Sequence, residues 1–410
     1  MLNYIWAFFF VATYVGALFQ SFALGNMDIW NNLAEETFSS AKSAFLIALN
    51  LTGILCFWLG MMKIAEKSGI TGYLARGLYP LFNKIMPGIS KNSPALGSIV
   101  MNIAANILGL DNAATPMGIK AMEQLQADNR HKTAASNAQI LFMVINSSSV
   151  TLIPMTILMY RSELGSSNPG AVFLPILFAT SISTLVGFLS VAIVQKINLF
   201  NRVILTYGVI FISIILFMAV GFAFLGSEVR NSVASDLGNF ILISIIAAFV
   251  LCGLFRKVNV YDEFVSGAKE GFNLAISIIP YLVAMLVGIS LFRVSGILDL
   301  FILGIEKIIL FFNINADFVP ALPTALLKPL SGSGARAMMI ETMQTYGADS
   351  FPAFVASVVQ GSTETTFYVL AVYFGAIKIS NTRHALPCAL LADAAGIISA
   401  ILLSYWFYVG

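Results

Sequence analysis

Charge is the scarcest property of this chain. Only 10% of its 410 residues are Asp, Glu, Lys or Arg, where a soluble domain carries about 25%, and the deficit excludes an ordinary water-soluble globule. The 22 Lys and Arg nearly cancel the 20 Asp and Glu, with no basic run to grip nucleic acid and no acidic tail. Histidine falls to two, His131 and His384, each beside Arg or Lys in a polar stretch and read as solvated. The three cysteines, Cys56, Cys252 and Cys388, sit in apolar surroundings without metal-ligand spacing and read as small buried hydrophobes. No phosphate loop or nucleophile elbow occurs. The residues therefore point away from an enzyme and call for neither cofactor nor metal.

What fills the chain instead is apolar: 58% of residues are hydrophobic and the mean hydropathy is +0.87. A helix needs roughly 20 apolar residues to cross a bilayer. Nine stretches qualify: 4–24, 43–62, 138–160, 171–195, 203–225, 238–255, 272–292, 352–377 and 386–409. The first lacks a charged leader and a small-residue cleavage site, so it reads as a retained helix. Two more segments, 94–125 and 319–345, are apolar but interrupted, by Gly109–Pro116 and by Ser331-Gly332-Ser333-Gly334. Backbone without helix survives at membrane depth only where protein or a wet cavity satisfies it, so both read as re-entrant hairpins or broken helices. The expected fold class is all-α, polytopic, with about nine full-length spans and two hairpins.

The chain also repeats itself. Ser40–Phe45 lines up with Gly267–Phe272, Ser68-Gly69-Ile70 with Ser295-Gly296-Ile297, and Met122-Glu123 with Ile340-Glu341. Asn146–Thr151 aligns with Gln360–Thr365, and Pro175 with Pro387. The Lys/Arg bias of loops puts 63–93, with Lys63, Lys67, Arg76, Lys84 and Lys91, on the cytoplasmic side. Its counterpart 293–319, with Arg293 and Lys307 against Asp299, Glu306 and Asp317, falls outside. The two repeats are thus expected to be inverted, the N-terminus cytoplasmic and the membrane a bacterial inner membrane. Residues 1–200 hold the N-terminal helix and repeat 1, 201–261 connect, and 262–410 hold repeat 2.

Inverted repeats with discontinuous helices are a recurrent plan of secondary transporters, with the site where the helices break. Polar residues cluster at matching points of both copies. Gln360, Ser362, Thr363, Glu364 and Thr365 stand in an otherwise apolar stretch, and an intramembrane carboxylate such as Glu364 reads by default as functional; a neutral Glu bonded between helices is the bland alternative. The repeat-1 cluster Asn146, Ser148, Ser149 and Thr151 has no carboxylate, and site function and helix packing stand level for it. Asn102, Asn106, Asp111, Asn112 and Thr115 at the first hairpin supply oxygen ligands and amide donors, or local caps. Ser331 and Ser333 flank glycines that let backbone approach a ligand, or simply turn. Lys328, Arg336 and Asp393, the last opposite Ser181, are charge partners for one another, for Glu364 or for an anionic solute. Glu123 and Glu341 read as interfacial.

Two sets of stretches carry a resemblance. Trp58–Lys67, Gly109–Pro116 and Asn146–Pro154 resemble spore maturation protein A; Lys328–Gly334, Gln360–Tyr368 and Thr382–Asp393 resemble spore maturation protein B, joined behind it. That family carries the nucleoside-recognition, or Gate, domain, shared with ferrous-iron uptake proteins and related to concentrative nucleoside transporters. Gln360–Glu364 is similar to the Gln-Thr-Glu motif of the latter, with Gly361-Ser362 intervening. The repeat plan and its polar clusters lead to the expectation of a transporter or permease for a small polar solute, nucleoside-like or an organic anion, coupled to protons or sodium if coupled at all; the resemblance adds the nucleoside label. A non-transporting receptor or scaffold of spore or envelope maturation is the second expectation. The expected partners are the lipid bilayer, the solute, a coupling ion and a second copy of the chain as a homo-oligomer.

Overall fold

The computed structural model describes residues 2–86, 89, 93–107, 111–152, 154–224, 227–313 and 315–408. Among them the regular secondary structure is helical. After α1 (Leu2–Ala23), the first repeat runs α2 (Ile29–Ser68), α3 (Ile70–Ile85), the hairpin α4 and α5 (Pro94–Ile107, Asp111–Asp128), the half-helices α6 and α7 (Asn137–Ser147, Met155–Glu163) and α8 (Phe173–Gln195). Two connecting helices follow, α9 (Arg202–Ala223) and α10 (Ser227–Phe255). The same order then returns as α11 (Val260–Val294), α12 (Ile297–Phe311), α13 and α14 (Leu322–Leu327, Gly332–Tyr346), α15 and α16 (Phe351–Ser362, Thr366–Ala376) and α17 (Ala385–Phe407). Among the described residues six helices, α1, α2, α8, α9, α11 and α17, are long and apolar enough to cross a membrane. The protein is a multi-pass membrane protein. Gly69 and Gly296, with φ of 77° and 74°, turn each long first helix into the shorter one after it. A left-handed residue ends a helix there, and glycine takes that conformation without a Cβ clash.

Two segments expected to span in one piece, 138–160 and 352–377, are broken instead. The reason is local. Ser147 and Ser148 both donate to the Val144 carbonyl, at 3.0 and 2.8 Å, and Ser362 donates to the Val359 carbonyl at 2.8 Å. At the second break the hydroxyl takes up a carbonyl that the next turn would have used; at the first, the Val144 carbonyl carries both hydroxyls and the Ser148 N–H together, and the helix ends there. Pro154, lacking an N–H, then starts α7. The apolar part of α10 is also shorter than a full span, at Phe240–Phe255.

Equivalent helices of the two copies cross antiparallel. A Cβ on Gly267 of α11 would fall 2.3 Å from the Leu59 carbonyl of α2, and one on Gly271 would fall 2.6 Å from that of Leu55. As α11 advances, α2 recedes. Likewise Gly187 of α8 meets Ala392 of α17, and Gly396 meets Ser183. Small residues let membrane helices approach closely, the packing mode available where lipid removes the hydrophobic drive.

The broken helices form a third antiparallel pair, tied at each end by an arginine. Arg161, 1% exposed, ends α7 and donates to the Ala348 carbonyl and to Asp349, both at 2.9 Å, just before α15 begins. At the other end Arg383, beyond α16, donates to the Ala135 carbonyl and Asn137 Oδ1, both at 3.0 Å, where α6 begins. Only the first clasp is ionic. Partial burial pushes the Asp349 carboxyl up, but hydrogen bonds from Ser166 and Ser167 and the Arg161 charge outweigh it and hold it below its ordinary value. Glu341, expected at the interface, is instead 4% exposed and bonded by Arg293 and Thr345.

Gly267→Ala should lower the thermal midpoint in detergent by an overpacking penalty of about 1–3 kcal/mol. Gly304→Ala, mid-helix with open space around it, should hold or raise the midpoint, by up to about 1 kcal/mol. A carboxyl depressed by folding stabilises above its unfolded pKa and loses that contribution as pH falls through the folded value. Stability measured against pH should therefore keep the Asp349 clasp at neutral pH and lose it only below about pH 4. Asp349→Asn should remove that acid-side loss.

Candidate functional site

Breaking a helix in the membrane frees backbone groups, and here they find partners in a repeated pattern. The Leu152 N–H donates to the Ile107 carbonyl at 2.9 Å, joining the first break to the tip of its own hairpin. The Phe367 N–H donates to the Pro329 carbonyl at 3.1 Å, doing the same in the second copy. The two breaks also meet directly, since the Glu364 N–H donates to the Ser147 carbonyl at 2.9 Å.

Beside this crossing lies a cavity of about 180 Å³. Its polar wall is Asn106, Ser149, Thr151 and Thr156 from the first copy and Lys328, Arg336, Gln360, Thr363 and Glu364 from the second. Leu55, Trp58, Leu59 and Met62 of α2 and Leu274 of α11 supply the apolar side. Lys328 is buried and Glu364 is exposed to the cavity. Arg336 lies 5.8 Å from the centre of the Tyr160 ring, a cation–π distance.

The matching backbone bonds set the register between copies: Ile107 answers Pro329, so Asn106 answers Lys328. With Glu123 opposite Glu341, Gly118 answers Arg336. Gly118 packs under the Tyr373 hydroxyl where Arg336 packs on Tyr160. The other ends of those bonds, Leu152 and Phe367, make Ser149 answer Glu364, one residue from the Val150 that the sequence alignment gives. In these pairs the first copy is neutral and the second polar or charged.

The remaining polar residues support the wall. The Asn106 and Tyr373 side chains donate to Asn146 Oδ1 at 2.7 and 3.1 Å. Asn102 donates to the Ala114 carbonyl at 2.8 Å and to the Tyr373 hydroxyl at 3.2 Å. Asn146 itself donates to the Phe142 carbonyl at 2.8 Å. Asn146 thus positions Asn106 from behind.

Ser148, Ser331, Ser333, Ser362 and Thr365 do not line the cavity. Ser331 caps α14 by accepting from the Gly334 N–H at 3.0 Å, with Ser333 3.3 Å away, and Thr365 packs over Gly332. Thr115 is half-buried in α5. The side chains of Asp111 and Asn112 and the hairpin tip 108–110 lie outside the described residues. Asp393, 1% exposed, sits behind Thr363. Sequence reasoning missed Trp58, Thr156 and Tyr373; Asn102, named with the first hairpin, stands behind the wall rather than on it, bonded to Ala114 and Tyr373.

Comparisons with known proteins agree with this two-copy layout. The Gate family, described as nucleoside recognition, matches residues 48–167 and 275–380, more than half of the chain. Spore maturation protein B of Bacillus subtilis (strain 168) is 48% identical over 161 residues, 39% of this chain and 88% of that protein. Spore maturation protein A of the same organism is 40% identical over 183 residues, 45% of this chain and 90% of that protein. The two relatives cover different parts of the chain. No solved structure matches.

Asn146→Ala should strand the Asn106 amide and the Tyr373 hydroxyl together and destabilise by about 1–3 kcal/mol. Tyr373→Phe leaves Asn102 and Asn146 their other partners and should cost about 1 kcal/mol. Denaturation midpoints in detergent order the two.

Proposed function

Because this chain belongs to the Gate family of nucleoside-recognition proteins, with one part like spore maturation protein A and another like spore maturation protein B, we propose that it is a permease for a small polar solute. The observation that carries the reading is the cavity at the crossing of two inverted broken helices, walled by Lys328, Arg336 and Glu364. Three ionisable groups at membrane depth are expensive to keep and mark a solute path. Lys328 and Arg336 outnumber Glu364, so the wall favours a solute with an anionic group, held by charge-assisted bonds. Glu364, Gln360 and Asn106 would read hydroxyl or amide groups on the same molecule. Antiparallel copies with an arginine clasp at each end suit alternating access, one clasp opening while the other holds. The basic 63–93 segment supports a cytoplasmic-membrane location with that segment inside.

The test is uptake into proteoliposomes holding the purified full chain. Labelled uridine, adenosine, uridine monophosphate and succinate are offered under proton and sodium gradients. Saturable uptake of at least one is expected, reduced by about tenfold or more in Glu364→Gln and in Lys328→Met. If none moves under any gradient, the permease reading fails and a non-transporting receptor or scaffold takes its place.

A further inference from the structure

The two final helices present the same position to their breaks with different chemistry. In the first copy, Gly187 of α8 packs on Ser148: a Cβ there would fall 2.9 Å from the Ser148 hydroxyl. Three residues earlier, Thr184 donates its hydroxyl to the Ser148 carbonyl, closing that break with a neutral bond. In the second copy, Gly396 of α17 packs on Thr363, its Cβ position 2.6 Å from Thr363 Cγ2 and 3.2 Å from the Ser362 carbonyl. Three residues earlier stands Asp393. The glycine register thus moves the counterpart of Asp393 from Ser181 to Thr184.

Asp393 is 1% exposed, and neither carboxyl oxygen has a hydrogen-bond partner. The hydroxyls of Thr363 and Thr366, 4% and 0% exposed, are also unpartnered, as is Gln360 Oε1. Thr363, Thr366 and Lys328 are the groups that act most directly on the Asp393 carboxyl, with Glu364 beyond them. The two threonine hydroxyls face the Asp393 carboxyl as its nearest donors, yet no well-formed hydrogen bond closes between them; buried oxygens are almost always satisfied, so this half-closed set of a carboxyl and two hydroxyls has room for a ligand. The set is all oxygen, and α15 ends there with its negative pole, which selects a hard cation. One carboxylate cancels one charge. Among the described residues no cluster of three or more His, Cys, Asp or Glu exists to hold a divalent ion. A proton on Asp393 would supply one donor to one neighbour, whereas a metal cation takes the carboxylate and both threonine oxygens at once.

We propose that Asp393, Thr363 and Thr366 form a binding site for a single sodium-sized monovalent cation, present in the second copy only. Lys328 links this site to the cavity, because it acts on Asp393 and also lines the cavity. A cation at Asp393 neutralises the carboxylate and leaves the Lys328 charge to the cavity. The cation and an anionic solute therefore bind with positive, reciprocal linkage. That linkage rests on the permease reading; the cation site does not.

Thermal unfolding of the full chain in nanodiscs tests the site with sodium chloride as probe, against choline chloride at equal ionic strength and at acid, neutral and alkaline pH. The midpoint of the native protein should rise saturably with sodium alone. Asp393→Asn should abolish the response. Thr363→Val, which keeps the carboxylate, should weaken apparent sodium affinity by about tenfold, or 1.4 kcal/mol, while Thr184→Val leaves it unchanged. No sodium-specific rise, a rise that survives Asp393→Asn, or a midpoint that follows pH alone would each overturn the site. Sodium stabilisation without solute uptake in the proteoliposomes would retire the permease reading and leave the site standing. Uptake without sodium stabilisation would do the reverse.

Discussion

Two interrupted helices leave backbone N–H and C=O groups without helical partners at a depth where no water replaces them. Each such group left unpaired costs several kcal/mol, and the rest of the architecture follows from how they are paired. The first break leans on the tip of its own hairpin, Leu152 on Ile107, and the second on its own, Phe367 on Pro329. The breaks then lean on each other through Glu364 and Ser147. Neither copy satisfies its break alone, since the bond between Glu364 and Ser147 needs the antiparallel partner. The glycine contacts of α2 with α11 and of α8 with α17 bring the copies close enough to make it.

On this nearly symmetric frame the chemistry is one-sided. Asn106, Gly118, Ser149 and Thr184 in the first copy stand where Lys328, Arg336, Glu364 and Asp393 stand in the second. A two-fold frame needs only one charged half to build an ionisable centre, and a second set of like charges at the crossing would repel the first. The neutral copy instead supplies amide and hydroxyl groups and holds them rigidly, as Asn146 and Tyr373 do for Asn106. The same inequality reaches the ends of the broken pair, where Arg161 meets a carboxylate and Arg383 an amide and carbonyl.

Much of this was legible along the chain. Hydropathy marked the membrane class, ordered matches such as Asn146–Thr151 with Gln360–Thr365 marked the repeat, and interruptions marked the hairpins. Lys328, Arg336, Glu364, Gln360, Thr363, Asn106, Ser149 and Thr151 were all singled out and all line the cavity. The breaks in 138–160 and 352–377 escaped because hydropathy averages over a window and is blind to which carbonyl a serine hydroxyl takes. Asn102 and Tyr373 are 271 residues apart, so neither announced the other.

Composition and pattern by themselves determined that the chain is helical, membrane-embedded and doubled, because burial in lipid and backbone self-satisfaction act on local sequence. They also located the charges that lipid makes expensive. Only the tertiary structure decided which of those charges share a cavity, that Ser331 caps a helix with Ser333 beside it rather than lining that cavity, and that Asp393 stands at the position of Thr184. Those outcomes depend on helix phase and on close approach at glycines such as Gly187 and Gly396. A rotation of one residue, about 100° on a helix, turns a side chain from the break to the lipid without changing a letter of the sequence.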